Sequence, residues 1–263
     1  MSAPLPLTDA NGTSNPPTKP TTTFEPSSTA PPADNLLTEP WSVQSVLTTL
    51  PAPPPPSPPT PIPFFHLLTR LKTTKREGWR RMGLLNGESI SDHMYRMSII
   101  TMLAPPSLTS KLNIPHCTKM ALVHDMAEAL VGDITPVDPV SKGEKSRREA
   151  ETMEYLSREL LGKWGGGVQG EGIRSIWEEY EEGKTLESVF VHDVDKLELL
   201  LQMVEYERMR KEEGYDFGEF AHVARKIQLE EVKVWAREVL REREEFWKGV
   251  DKVPNMANVL NEL

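Results

Sequence analysis

From Ile62 onward, apolar residues recur at helical spacing along almost the whole chain. Phe64, Phe65, Leu67, Leu68 and Leu71 predict a short amphipathic helix. Ser89 to Met102 predicts a second, with Ser89 as N-cap and Pro105-Pro106 as the stop. Pro115 in a first turn opens a helix expected to run to about Val131, where Gly132 ends it. Asp133 to Val140 holds two prolines and reads as a loop. Lys142 to Leu161 reads as a charged helix, and Gly165-Gly166-Gly167 with Gly170 as a flexible connection. Gly172 to Glu182 predicts a short acidic helix. Thr185 to Glu213 predicts a long one, with Phe190, Val194, Leu197 and Leu201 at i, i+4, i+7 and i+11. Phe220 to Trp247 is the last, heavily charged helix. No strand alternation and no internal repeat interrupt this pattern, so the fold class is all-α.

Composition divides the chain. Eighteen of its 24 prolines fall in the first 63 residues, a region rich in Ser and Thr whose only basic residue is Lys19. Such a segment buries too little apolar surface to offset its ordering entropy. The expectation is a disordered Pro/Ser/Thr-rich tail over 1–61, with Pro53-Pro54-Pro55-Pro56 locally in polyproline II. A helical domain over 62–250 and a C-terminal tail over 251–263 complete the division. About 200 residues then remain for one domain with a real core.

The net charge is −9, of which the tail carries −3 (Lys19 against Asp9, Glu25, Asp34 and Glu39). Without a basic footprint, a nucleic-acid polymer is not an expected partner, whereas a small phosphate ester needs only one or two local cations. Cys117 is the single cysteine, which excludes a disulfide framework and favours a reducing compartment. No apolar run reaches the ~18 residues of a membrane span, and no Arg precedes Arg70. A cytoplasmic protein is expected, with nuclear access left open, and no membrane partner.

Ala121-Leu122-Val123-His124-Asp125-Met126-Ala127-Glu128 sets three ionisable groups into an apolar helix. Their desolvation needs an offset, and a divalent metal ion supplies one. Imidazole plus carboxylate suits Mn, Co, Zn, Fe or Ni better than Ca. His93 has Met97 and Ile100 at i+4 and i+7, which puts it near a buried face as a further ligand or as a core histidine with one hydrogen bond. Asp193 or Asp195 could complete the set; periodicity does not separate them. Glu128 lies one turn after His124, where an acid can orient a water or take its proton. Asp133 follows Gly132 at the helix end, as a turn or cap residue or as a catalytic group near the phosphate or the leaving oxygen. Arg76 offers a fork matched to phosphate oxygens, and Trp79 a wall for a sugar or base.

The ordered string of these motifs resembles the HD-domain superfamily and, within it, the YfbR-like 5'-deoxynucleotidases. The resemblance spans Phe64 to Arg210. It is carried by Arg76 with Gly78-Trp79, Glu88-Ser89-Ile90-Ser91-Asp92-His93, Leu122-Val123-His124-Asp125-Met126-Ala127-Glu128, Val131-Gly132-Asp133-Ile134-Thr135-Pro136, Glu144-Lys145 and Trp177-Glu178-Glu179-Tyr180-Glu181. It implies an all-α HD-domain helical bundle that hydrolyses deoxyribonucleoside 5'-monophosphates. It implies a divalent cation (Mn, Co, Mg or Zn) on His93, His124, Asp125 and Asp195. Arg76 matches the phosphate-binding arginine and Trp79 the substrate-facing tryptophan that would crowd the 2' position. Glu128 and Asp133 match the two acids outside the metal shell. Members of the group often form homodimers, with the charged helix Phe220 to Trp247 as a contact to consider here. Two alternatives stand beside this reading: the same site acting on a nucleoside triphosphate or signalling nucleotide, and a non-catalytic binding module.

Overall fold

The structure is a computed structural model and describes residues 41–248. It is all-helical, and among the described residues the one extended pairing is an isolated antiparallel bridge between Lys75 and Ser89. The helices are α1 (Val43–Thr48), α2 (Ile62–Leu67), α3 (Thr69–Thr73), α4 (Glu77–Arg81), α5 (Ile90–Met102), α6 (Pro106–Thr109), α7 (Ile114–Val123), α8 (Glu128–Val131), α9 (Lys142–Glu154), α10 (Val168–Glu182), α11 (Leu186–Met209) and α12 (Glu230–Trp247). A wider π turn, Tyr155–Leu160, continues α9. Three 3-10 segments, Trp164–Gly167, Lys211–Glu213 and Gly218–Lys226, join the later helices.

Local chemistry explains most boundaries. Ser89 and Asp92 form a reciprocal capping box at the start of α5. Asn113 caps α7 with Pro115 in its first turn, Ser141 caps α9 and Thr185 caps α11. Gly132 ends α8 at φ 78°, ψ 170°, a conformation open essentially to glycine alone. Gly170 has a different reason: a Cβ there would lie 2.1 Å from the carbonyl oxygen of Ser157, so only glycine lets α10 approach the π turn this closely.

Three expectations fail instructively. The helix expected from Pro115 to Val131 breaks at His124, Asp125, Met126 and Ala127, which form tight turns between α7 and α8. Backbone bonds there run i→i+3, from Met126 N to Val123 O at 2.9 Å and from Glu128 N to Asp125 O at 3.0 Å. The second failure is at the other end. A disordered tail is expected over 1–61, but the part of it from Trp41 on is ordered, because Trp41 and Leu47 are buried. The Trp41 ring receives the guanidinium groups of Arg147 and Arg148 at 5.9 and 5.6 Å, and its carbonyl accepts from Arg147. One aromatic and one leucine thus anchor a segment whose composition alone reads as unfolded. Residues 1–40 and the expected C-terminal tail lie outside the described residues. The last predicted helix begins ten residues late by comparison, since Gly218–Lys226 is a 3-10 segment and α12 starts at Glu230.

Two apolar clusters form the core. One gathers Phe190, Val194, Leu197, Leu200 and Met203 of α11 with Met97 of α5, Met120 and Ala121 of α7, and Val232, Ala236 and Leu240 of α12. The other gathers Phe64, Leu67 and Leu71 with Ile90 and Met94 of α5, Val123, Met126 and Leu130, and Met153 and Leu156. Helices α5 and α7 contribute to both. His93 lies on α5 and His124 caps the end of α7, close to where these helices pass from one cluster to the other, so two buried imidazoles are held at the seam.

Candidate active site

The seam collects residues from five places in the chain. His93 comes from the first turn of α5 and is fully buried. Its Nδ1 meets Glu198 Oε2 at 2.5 Å. Its Nε2 lies 3.2 Å from Asp195 Oδ1 and 4.0 Å from Asp125 Oδ2, with hydrogen-bond geometry to neither. His124 Nδ1 meets the carbonyl of Ala121 at 3.0 Å, which leaves Nε2 3.2 Å from Asp125 Oδ2. Both imidazoles therefore have Nδ1 engaged and Nε2 turned to the same carboxylates, the arrangement by which histidines present a lone pair to a cation.

The tight turn at 124–127 serves this geometry. Winding with three residues per turn stacks side chains i and i+3, so Asp125 and Glu128 share a face. Arg76 precedes α4 and is held there because its N–H donates to Glu88 O at 3.1 Å beside the Lys75–Ser89 bridge. Its Nη1 donates to Asp125 Oδ2 at 3.1 Å. Asp133, after Gly132, accepts the backbone N–H of Glu77 and so ties that turn to the Arg76 segment.

Electrostatics follow from this crowding. Burial alone would lower the Arg76 pKa, but Asp133, Asp125, Asp195 and Glu128 reverse that and raise it. Burial would raise the Asp125 and Asp195 carboxyls, yet the histidines and Arg76 hold both well below the usual range. Glu128 goes the other way. Burial, then the charges of Asp125 and Asp133, push it well above an ordinary carboxyl, with Arg76 and Lys145 only partly opposing. Its Oε2 is buried without a hydrogen-bond partner, and Lys145 Nζ stands 4.0 Å from Oε1.

The structure separates the two aspartates. Asp193 is fully buried, and its carboxylate accepts N–H groups of Gln228 and Leu229 just ahead of α12. Asp195 faces His93, and Tyr180 Oη approaches its Oδ2 at 3.5 Å. Trp79 departs from expectation. It is 3 % exposed, packed against Tyr206, Phe217 and Phe220, with Nε1 donating to Glu88 Oε1 at 2.8 Å. That indole is packed into the core rather than presented at an open surface.

Residue-by-residue reading of the sequence gave no role to Glu198, Tyr180 or Lys145. Glu198 sits three residues after Asp195 on α11, and Tyr180 packs its ring 4.9 Å from that of His124. Lys145 donates to the carbonyl of Ile134 at 3.1 Å and pairs with Glu149 at 3.5 Å. The available signal was acid or hydroxyl placement on otherwise apolar helix faces.

His93, His124 and Asp125 bring ligand atoms together as one candidate cation site, with Asp195 3.2 Å from His93 Nε2; borderline nitrogen donors, carboxylates and an unpartnered buried Nε2 fit a divalent transition-type cation. Fold and site together define an all-helical protein with a histidine–aspartate centre of the kind that holds a metal ion beside an arginine. The HD domain family model matches residues 68–235, and the chain belongs to that family. It is 47% identical over 190 residues to 5'-deoxynucleotidase hdd1 of Schizosaccharomyces pombe, covering 72% of this chain and 93% of that protein. It is 38% identical over 172 residues to human 5'-deoxynucleotidase HDDC2, covering 61% of this chain and 78% of that one. Among solved structures, the HD domain-containing protein YGK1 superposes with a TM-score of 0.53 at 30% identity, covering 78% of this chain and 94% of that one.

Proposed function

We propose that this protein hydrolyses deoxyribonucleoside 5'-monophosphates to deoxynucleosides and phosphate with the help of a divalent cation. The observation that carries the reading is the buried, unpartnered Nε2 of His93, facing Asp195 and Asp125 with Arg76 bonded to the latter. The names of hdd1 and HDDC2 support the substrate class.

His93, His124, Asp125 and Asp195 would hold the cation; Mn, Co, Mg and Zn all suit the set to differing degrees. When bound, it supplies positive charge that activates a water and screens the phosphoryl group. Arg76 binds the non-bridging oxygens, exchanging part of its carboxylate company for phosphate. Glu128, whose burial raises its affinity for a proton, takes one from the attacking water. Asp133 holds the Arg76 segment in place through the Glu77 N–H, and the leaving 5'-oxygen is protonated either by Asp133 or with the proton that Glu128 has taken, Asp133 otherwise holding the sugar. Trp79, buried under Glu88, has no direct part in rejecting a 2'-hydroxyl. A cytoplasmic homodimer is part of the proposal, supported by the reduced lone Cys117 and by the behaviour of the family.

A phosphate-release panel tests the reading. Deoxy- and ribonucleoside monophosphates and deoxynucleoside triphosphates are offered with Mn, Co, Mg and Zn in turn. Free phosphate from dAMP or dCMP, dependent on metal, is the expected result. Pyrophosphate or triphosphate release from the triphosphates, with none from the monophosphates, would overturn it.

A further inference from the structure

Beneath the site lies a polar network, buried at Glu198 and reaching the surface at Glu205, that takes no part in the mechanism above. Glu198 is fully buried, and its two oxygens do different work. Oε2 meets Nδ1 of His93 at 2.5 Å. Oε1 receives Arg96, from Nε at 2.8 Å and Nη2 at 2.6 Å. Arg96 is itself fixed by Glu205 through Nη1 at 2.6 Å and by Gln202 through Nη2 at 2.8 Å. The spacing repeats on both helices. Arg96 follows His93 by three residues on α5, and Glu198 follows Asp195 by three on α11. Each helix therefore brings one residue to the cation centre and one to the support beneath it.

We propose that Glu198, clamped by Arg96, is the positioning residue that fixes the His93 imidazole with Nε2 turned toward the cation. This rests on the metal-site reading above. A carboxylate on Nδ1 places the proton on that nitrogen, so that the neutral ring a cation would bind presents its lone pair at Nε2. It also bars the ring flip that would exchange the two nitrogens. The clamp explains why an acid can be buried there at all: an unpaired carboxylate in that position would be costly, whereas one held by a guanidinium and an imidazole is satisfied. Glu88 also clusters with His93 and Glu198, but its Oε1 accepts the indole N–H of Trp79. On the Nδ1 side of His93, Glu198 is the acid that joins the ring to the Arg96 guanidinium.

The test is Mn binding to the chelator-stripped full chain, by calorimetry or by loss of the free-ion EPR signal, with no substrate present. Glu198→Ala is expected to weaken binding by about 10- to 100-fold, the usual effect of removing an outer partner of a ligating histidine. Glu198→Gln keeps an oxygen that accepts from Nδ1–H and should recover most of the affinity. Arg96→Met, which frees the carboxylate to move, should weaken binding several-fold. His124→Ala serves as the reference and should lose binding. A folded Glu198→Ala with wild-type affinity, beside a His124→Ala that has lost it, overturns the proposal. Should Glu198→Ala fail to fold, an unchanged affinity in Arg96→Met overturns it instead. His124→Ala binding like wild type would sink the metal-site reading itself, a separate outcome. A purely structural role for Glu198 would lower the melting temperature of the metal-free protein and leave the affinity untouched.

Discussion

Asp193 and Asp195 stand two residues apart on α11 and serve different masters. Asp193 has no exposed side-chain surface and holds backbone N–H groups of Gln228 and Leu229, while Asp195 is 31% exposed and lies 3.2 Å from His93 Nε2. Asp193→Ala should therefore cost stability, roughly 1–3 kcal/mol for a buried cap whose donors are left unsatisfied. Its metal content should stay at the wild-type level. Asp195→Ala should lose metal and keep the metal-free melting temperature. Metal analysis and thermal unfolding on the same two samples separate them; a reversed pattern would reassign the ligand.

Arg76 is encircled by carboxylates yet has only one of its contacts, to Asp125, within hydrogen-bonding reach. A guanidinium so placed is charged throughout the working range and has donors to spare for a phosphate. Arg76→Ala should reduce kcat/KM for a deoxynucleoside monophosphate by about 10²–10³-fold, the scale seen when a preorganised donor to a developing charge is removed. Arg76→Lys should recover little, because a point charge cannot reproduce the fork. Steady-state kinetics decide this, and an alanine variant with unchanged kcat/KM would remove Arg76 from the site.

Glu128 carries a buried oxygen without a partner and sits beside Asp125 on the tight turn. Glu128→Gln preserves shape and removes the ability to take a proton. Turnover should fall by about 10²–10⁴-fold, as for the loss of a general base. Mn affinity and melting temperature should change little, because the site's charge-bearing donors remain. Equal losses of metal and turnover would instead make Glu128 a ligand.

Much of the site was legible because its chemistry sits on short motifs with local signatures. The Ser89 cap, Gly132 and the His124-Asp125 doublet each carry their own physical mark. What was hidden depends on the third dimension. The break at His124 was invisible because apolar residues continue on both sides of it, so the pattern reads the same for a helix and for tight turns. Asp193 and Asp195 flank Val194, and periodicity points either one inward; only the position of α12 tells them apart. Glu198 looked like one more acid on a long helix, since nothing local announces that His93 lies against it. Trp41 and Leu47 were masked by the prolines around them, which lower the apparent hydrophobicity of a segment that two buried side chains suffice to anchor.

Trp79 offers the sharpest contrast between motif and placement. Its motif company suggests a substrate contact, whereas its ring meets Tyr206 edge-on at 5.2 Å and Phe220 at 4.7 Å, and its N–H is spent on Glu88. Glu88 in turn is pushed up to about 7, by burial first and then by the nearby Glu198, with the Trp79 bond among the opposing effects. Trp79→Phe keeps an aromatic in the core but opens a small void and strands the Glu88 oxygen. Stability should fall by about 1–3 kcal/mol, from lost packing and an unpaired buried acceptor. The ratio of deoxy- to ribonucleotide turnover should not change if the indole stays buried against Tyr206, Phe217 and Phe220. Chemical denaturation together with paired assays on dCMP and CMP tests both halves. A variant of wild-type stability whose preference for deoxyribose collapses would return Trp79 to the substrate and show that the ring leaves the core when substrate binds.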